Sequence, residues 1–299
     1  MSVRGRTETG LVVGLDIGGT KVLGVPPGPD DAVLGSVRLP TTRGVEGVVA
    51  TATKVVHALL AAAGVAPVAL AGISIGVPGV VDPATRTVAH AVHLGFPAAS
   101  TPLASLLAAQ LDGVPIRAEN DLTVAALGAA RAVGGQDPGD RIADLAYLAL
   151  GAGIAAGFLL DGRLRWGAFG GAGEIGHIPF VADGPVRACG QRGCLERYAS
   201  GASLDARWPC RADVPAHVAL FATAAAGDPA AVALRDEFVL AVAAAVRILV
   251  LTTDVACVFL GGGVSGRAPR CSTPWSRRST TRRQDRSSWR LRTPVGAFA

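Results

Sequence analysis

Gly171–Gly201 reads GAGEIGHIPFVADGPVRACGQRGCLERYASG. It sets Glu174, His177, Cys189, Cys194 and Glu196 among closely spaced glycines, a mixture that serves neither a core helix nor a strand. Glycine lets the backbone turn sharply and approach a ligand closely. Two carboxylates and an imidazole supply hydrogen bonds for a hydroxyl-rich ligand. His177 with the two cysteines has the look of a metal knuckle. The stretch therefore reads as a ligand-binding loop.

Working outward, the flanking sequence supplies an α/β scaffold. Leu11–Ile17 alternates as a strand, Gly18-Gly19 is a tight turn, and Thr20–Val25 is the returning strand. Pro26–Asp31 is a loop and Val33–Leu39 a third strand. Val45–Ala63 has apolar residues at helical spacing and closes at Gly64. Val68–Ile75 is a buried strand running into the Gly76–Gly79 loop. Leu103–Leu111 is a helix and Pro115–Ala118 a short strand. Asn120-Asp121 stands at an N-cap position before a small-residue helix, Leu122–Ala132, with a loop at Gly134–Asp140. A similar order then follows: a strand at Leu145–Leu150, and Ile154–Leu160 and Arg163–Trp166 around the hairpin signal Asp161-Gly162. Two Ala-rich helices lie near Pro215–Ala226 and Asp228–Thr252, and Cys257–Leu260 is a strand entering Gly261-Gly262-Gly263. The pattern predicts two α/β lobes, residues 1–118 and 119–266, with a cleft between them.

Composition bounds the partners. The net charge of +5 comes from residues 267–299, which hold nine arginines and one aspartate; the rest carries −3. A slightly acidic body argues against nucleic acid as the main partner. The Arg/Ser/Thr-rich tail has no helical or strand period and reads as irregular, or as the product of a shifted reading frame. Five cysteines without a disulfide-like framework fit a reducing cytoplasm. The start, MSVRGRTETG, has no apolar signal-peptide core. The most apolar run, Phe238–Val246, is nine residues long, too short to span a bilayer.

The central loop resembles the signature of the ROK (repressor, open reading frame, kinase) family, GEIGH followed by C-x-CG-x-x-GC-x-E, and four further blocks stand in the family's order. The resemblance runs from about Leu11 to Gly266. It implies the two-lobed actin-like ATPase (ribonuclease H-like) fold of sugar kinases and hexokinases, with glucokinase-like activity. Leu15–Lys21, LDIGGTK, resembles the first phosphate motif. A Gly18-Gly19 turn points backbone N–H groups at an anion, Thr20 and Lys21 add donors, and Asp16 suits Mg²⁺. By itself the motif is also an ordinary hairpin. Gly151-Ala152-Gly153 stands where the second phosphate motif would, with Ala152 in place of the usual Thr. Gly261-Gly262-Gly263 resembles the adenosine motif, and alone would be a plain turn.

The resemblance makes Asp121 the general base toward a sugar hydroxyl, where the residues alone equally describe a helix N-cap. It makes Asn120, Glu174, His177 and Glu196 sugar ligands. His93 stands where the family has an Asn that contacts sugar. The family zinc site is a His and three Cys, ten, twelve and seventeen residues after the His. Here those positions are Arg187, Cys189 and Cys194, so zinc on His177, Cys189 and Cys194 lacks one of four ligands, unless Cys210 folds back.

These features predict ATP- and Mg²⁺-dependent phosphorylation of a hexose at the 6-hydroxyl in the cytoplasm, without nucleic acid or membrane. The family habit adds a dimer or tetramer. Polyphosphate stays open as donor. Two alternatives are a sugar-binding regulator, for which the ten residues before the first strand leave no room for a winged helix, and a kinase impaired by Ala152, His93 and Arg187.

Overall fold

The computed structural model describes residues 10–27, 34–82, 84–133, 142–187, 189–209, 214–265 and 270–272. β1 (Leu11–Ile17) buries Val13, Leu15 and Ile17 on alternate positions and exposes Asp16 between them. The Gly18–Lys21 turn closes by a Gly18 N–H bond to the Lys21 carbonyl (2.9 Å). β2 (Lys21–Val25) returns antiparallel, with Ile17 opposite Val22, and β3 (Val37–Pro40) pairs beside it. α1 (Val45–Ala63) ends at Gly64 in the left-handed conformation. Its length and composition would suffice to cross a membrane, yet Val48, Ala52, Val55, Val56, Leu59 and Leu60 form a buried stripe in the core of this unit.

β4 (Leu70–Val77) runs parallel to β1. β5 (Val80–Val81) and β6 (Val88–Ala89) form a small hairpin, and α2 (Leu103–Ala109) follows. β7 (Ile116–Asn120) completes the sheet in the order β3-β2-β1-β4-β7 and passes without a loop into α3 (Asp121–Val133). The chain divides into two compact units, Met1–Val124 and Ala125–Ala299.

The second unit repeats the design. β8 (Leu145–Leu150), β9 (Ile154–Leu160) and β10 (Arg163–Arg165) form an antiparallel meander whose last turn uses Asp161 and Gly162, both at positive φ. α4 (Gly201–Arg207), α5 (Ala216–Ala225) and α6 (Pro229–Thr253) lead to β11 (Cys257–Gly261), parallel to β8. β12 (Arg270–Ser272) pairs antiparallel with β11, giving the order β10-β9-β8-β11-β12. Phe238 of α6 is wholly buried and meets Phe221 of α5 edge-on, centroids 6.2 Å apart.

Several expectations change. Three residues of the supposedly irregular tail form a strand, because the edge of β11 offers them a backbone ladder that no side-chain period announces. Cys257, buried in β11, is disulfide-bonded, against the reading of five cysteines without a disulfide-like framework. The third strand is confined to Val37–Pro40, and the β5–β6 hairpin and α4 have no counterpart in the sequence reading. The Gly134–Asp140 loop, Cys210, and the N-terminal and tail residues outside the stated ranges lie beyond the described residues.

Candidate active site

In the first unit the chemistry gathers at the carboxyl ends of the parallel strands, where open α/β sheets bind ligands. The register aligns Asp16 of β1 with Gly76 of β4, and Gly76 with Glu119 of β7. Gly76 keeps this row open: a Cβ there would lie 3.6 Å from the Asp121 Cα and 3.8 Å from the Leu15 carbonyl oxygen. Asp16 and Asp121 are therefore brought to the two sides of one glycine. Asp16 keeps an exposed face, yet the protein packed round its carboxyl removes enough water to raise it above its ordinary value, and the Lys21 ammonium pulls it partly back.

The phosphate turn is braced from two directions. Thr41 donates its hydroxyl to the Gly18 carbonyl (2.6 Å) and its N–H to the Thr20 carbonyl (3.1 Å). With both carbonyls satisfied from β3's end, the turn keeps its shape without its own ligand. On the other side, a Cβ at Gly19 would stand 3.0 Å from the Cβ and carbonyl oxygen of His93, so only glycine fits this packing without a shift. His93, exposed on the short turn Val92–Leu94, thus borders the phosphate turn itself. Thr41 escaped the sequence reading because it lies 23 residues from Gly18 in the chain.

Asp121 opens α3, and its Oδ1 accepts the Leu122 N–H (2.9 Å). Asn120 is a clamp. Its Nδ2 donates to the Gly79 carbonyl (2.9 Å), and its Oδ1 accepts from the N–H groups of Leu122 (3.0 Å) and Thr123 (3.1 Å). A contact from Asn120 to a sugar would have to use the second amide hydrogen. The N-cap reading thus falls mainly on Asn120, with Asp121 Oδ1 taking the Leu122 N–H as well. Glu119, given no function from sequence, accepts the Asn120 N–H on Oε1 (2.9 Å) and holds Arg86 Nη1 at 3.9 Å by Oε2.

In the second unit three glycine-bearing turns meet. Gly201 N–H donates to the Gly151 carbonyl (2.7 Å), Ala202 N–H to the Ala152 carbonyl (3.2 Å), and Val264 N–H to the Leu150 carbonyl (2.9 Å). These bonds bring Gly151–Gly153 beside Gly261–Gly263 at the ends of β8 and β11. Glu196 reaches the same turn: its Oε2 is 3.4 Å from the Ile154 N–H, and a Cβ at Gly153 would sit 2.6 Å from that oxygen. Gly153 is therefore fixed by the approach of a sugar-loop carboxylate. Arg187 donates from Nε (2.9 Å) and Nη2 (2.6 Å) to Glu196 Oε1, while His177 Nε2 lies 4.0 Å from Glu174 Oε2.

A family model for ROK proteins matches residues 12–276. The chain belongs to the ROK family. Among its relatives is the glucokinase of Streptomyces coelicolor, 34% identical over 197 residues, which are 65% of this chain and 58% of that enzyme. The chain thus spans less than two thirds of that glucokinase. The N-acetylmannosamine kinase of Vibrio cholerae is 31% identical over 251 residues, covering 84% of this chain and 83% of the relative. A ROK family glucokinase from Streptomyces griseus, solved in complex with glucose and AMPPNP, superposes with a TM-score of 0.69 at 31% identity, covering 86% of this chain and 84% of that one. The fold is accordingly the actin-like ATPase fold of ROK sugar kinases.

One ROK feature is not built here. Among the described residues no group of three or more His, Cys, Asp or Glu side chains could hold a metal ion. The expected zinc set of His177, Cys189 and Cys194 fails because a guanidinium occupies its centre: Arg187 Nη1 lies 2.9 and 2.8 Å from the two ring nitrogens of His177. The thiols face each other instead, Sγ to Sγ 3.8 Å. The Gln191 backbone N–H, aided by Arg187, pulls the Cys189 thiol down to about 6, while burial pushes Cys194 up. Alkylation of Cys189 by iodoacetamide should therefore rise with pH through a midpoint near 6; a midpoint near the ordinary thiol value of about 8.5 would contradict the geometry.

Proposed function

We propose that this ROK protein transfers the terminal phosphoryl group of ATP to the 6-hydroxyl of a hexose, glucose or a close relative. The observation that carries this reading is that Asp16 and Asp121 both adjoin Gly76, one by strand register and the other by its Cα, beside a braced glycine turn. A sugar hydroxyl is a poor nucleophile at neutral pH. As its oxygen bonds to the γ-phosphorus and the bond to the ADP oxygen breaks, its proton passes to the Asp121 carboxylate. Backbone N–H groups inside the turn that the Gly18–Lys21 bond closes, with the Thr20 and Lys21 side chains, bind phosphate oxygens of the donor. Gly151–Gly153 and Gly261–Gly263 offer backbone against which a nucleotide can lie.

A single carboxylate beside a phosphate turn fits Mg²⁺, which keeps several waters and takes its remaining ligands from substrate phosphates. Asp16 would hold it, and when bound it supplies neutralisation of phosphate charge. Glu174, His177 and Glu196 hold the sugar hydroxyls, and Asn120 fixes the Gly76–Gly79 loop beside the base. The relatives' names, glucokinase and N-acetylmannosamine kinase, support a six-carbon sugar and leave its identity to experiment.

The test is a panel of hexoses with ATP and, separately, polyphosphate as donor, read as sugar phosphate by chromatography. Glucose or a near relative should be converted with ATP and Mg²⁺. No conversion of any hexose with either donor would overturn the reading.

A further inference from the structure

Arg187 stands at the position of the missing cysteine, ten residues after His177. A cation of another kind therefore occupies the centre of the loop. We propose that Arg187 replaces a metal ion as the organiser of the sugar loop: its guanidinium holds Glu196 and His177 in their ligand-binding arrangement, so that sugar binding requires no zinc. This rests on the reading of Glu196 and His177 as sugar ligands.

The geometry is that of a clamp. Nε and Nη2 share Glu196 Oε1 at 2.9 and 2.6 Å, which fixes one carboxylate oxygen and turns the other, Oε2, toward the Gly153–Ile154 backbone. Nη1 is nearly equidistant from both nitrogens of the His177 ring, so it cannot lie on the lone-pair axis of both. It meets the imidazole as a cation placed against the ring. One side chain thus touches two of the three sugar-loop candidates. The third, Glu174, lies within 4.0 Å of the same imidazole. Arg187 and Glu196 are 19% and 26% exposed, so solvent screens their attraction only in part.

The arginine is itself held. Its N–H donates to the Gln191 carbonyl (2.8 Å) and its carbonyl accepts from Gly190 (2.9 Å), pinning it in a tight return between Val186 and Arg192. The fork is planar, always charged and needs no deprotonated thiols, unlike a zinc knuckle. Cys189 and Cys194 sit 3.8 Å apart, Sγ to Sγ, and Cys189 also meets Arg187 and His177, so the guanidinium joins the cluster where a metal would stand. Arg187 is accordingly a positioning residue.

The test uses the full chain and glucose as probe, with calorimetric binding as the readout. Arg187→Met should weaken glucose binding on the order of tenfold to a hundredfold, the range for a charge-assisted bond. Combined with Glu196→Gln, the joint loss should fall well short of the product of the separate losses. Arg187→Lys keeps the charge without the fork and should recover part of the affinity; it also carries the test if the methionine variant does not fold. Metal analysis of wild type should find far less than one zinc per chain, and a zinc chelator should leave glucose binding intact. Unchanged glucose affinity in the arginine variants, multiplicative losses in the pair, or a stoichiometric zinc whose removal abolishes binding would each overturn the inference. A wild type that binds no hexose would instead remove the reading of the loop on which it rests.

Discussion

Asp121→Asn should lower turnover by roughly 10²–10⁴-fold, the span attributed to a positioned general base, while the dissociation constant for the sugar changes only a few-fold. The two expectations separate for a structural reason. Asp121 Oδ1 accepts the Leu122 N–H at 2.9 Å, and an asparagine carbonyl can accept the same bond. The entry to α3 is held besides by Asn120, whose Oδ1 takes the N–H groups of Leu122 and Thr123. The substitution therefore removes basicity and leaves the helix start and the Gly76 contact in place. Under saturating ATP and sugar, turnover within tenfold of wild type would remove Asp121 from the proposed reaction. A large loss of sugar affinity with little loss of turnover would reassign it as a ligand.

Much of this scaffold was legible because its signals are local. The β1 alternation, the Asp161-Gly162 turn and the α1 stripe closing at Gly64 each depend on residues a few positions apart. β5 and β6 are two residues each, shorter than one alternation can reveal, and α4 has seven residues, too few for a helical period to stand out. The site divides in the same way. Asp16, Asp121 and the glycine turns were readable as motif blocks, whereas their pairing across Gly76 depends on strand register. Asn120 was read as a ligand, yet its amide clamps Gly79, 41 residues away, a contact no spacing foretells. At Arg187 the sequence shows only that a cysteine is missing. That the arginine folds back onto both His177 and Glu196 follows from the short return at Gly190–Gln191.

The remaining large effect belongs to Asp16, and its two consequences have opposite signs. Asp16→Asn should reduce kcat/KM for the nucleotide on the order of 10²–10³-fold, as expected when a group stabilising developing charge is lost. The same change should make the ligand-free protein more stable near pH 8. Desolvation raises the Asp16 carboxyl in the folded state and outweighs the opposing attraction of Lys21, so the ionised form is disfavoured there. For a carboxyl so raised, the destabilisation is fully present above the folded value and fades as pH falls below the unfolded one. The stability difference between variant and wild type should accordingly be largest at pH 8 and shrink toward pH 4. Saturating AMPPNP and Mg²⁺ should reverse the ranking, because a ligand that binds only the folded state adds stability in proportion to its affinity and the variant binds it less well. Thermal unfolding of both proteins across this pH range, with and without the nucleotide, measures every arm. A variant less stable than wild type at pH 8 without ligand would mean that the folded protein does not disfavour the Asp16 carboxylate, and one that keeps its full nucleotide-dependent stabilisation would mean that Asp16 is not the residue that meets the cation.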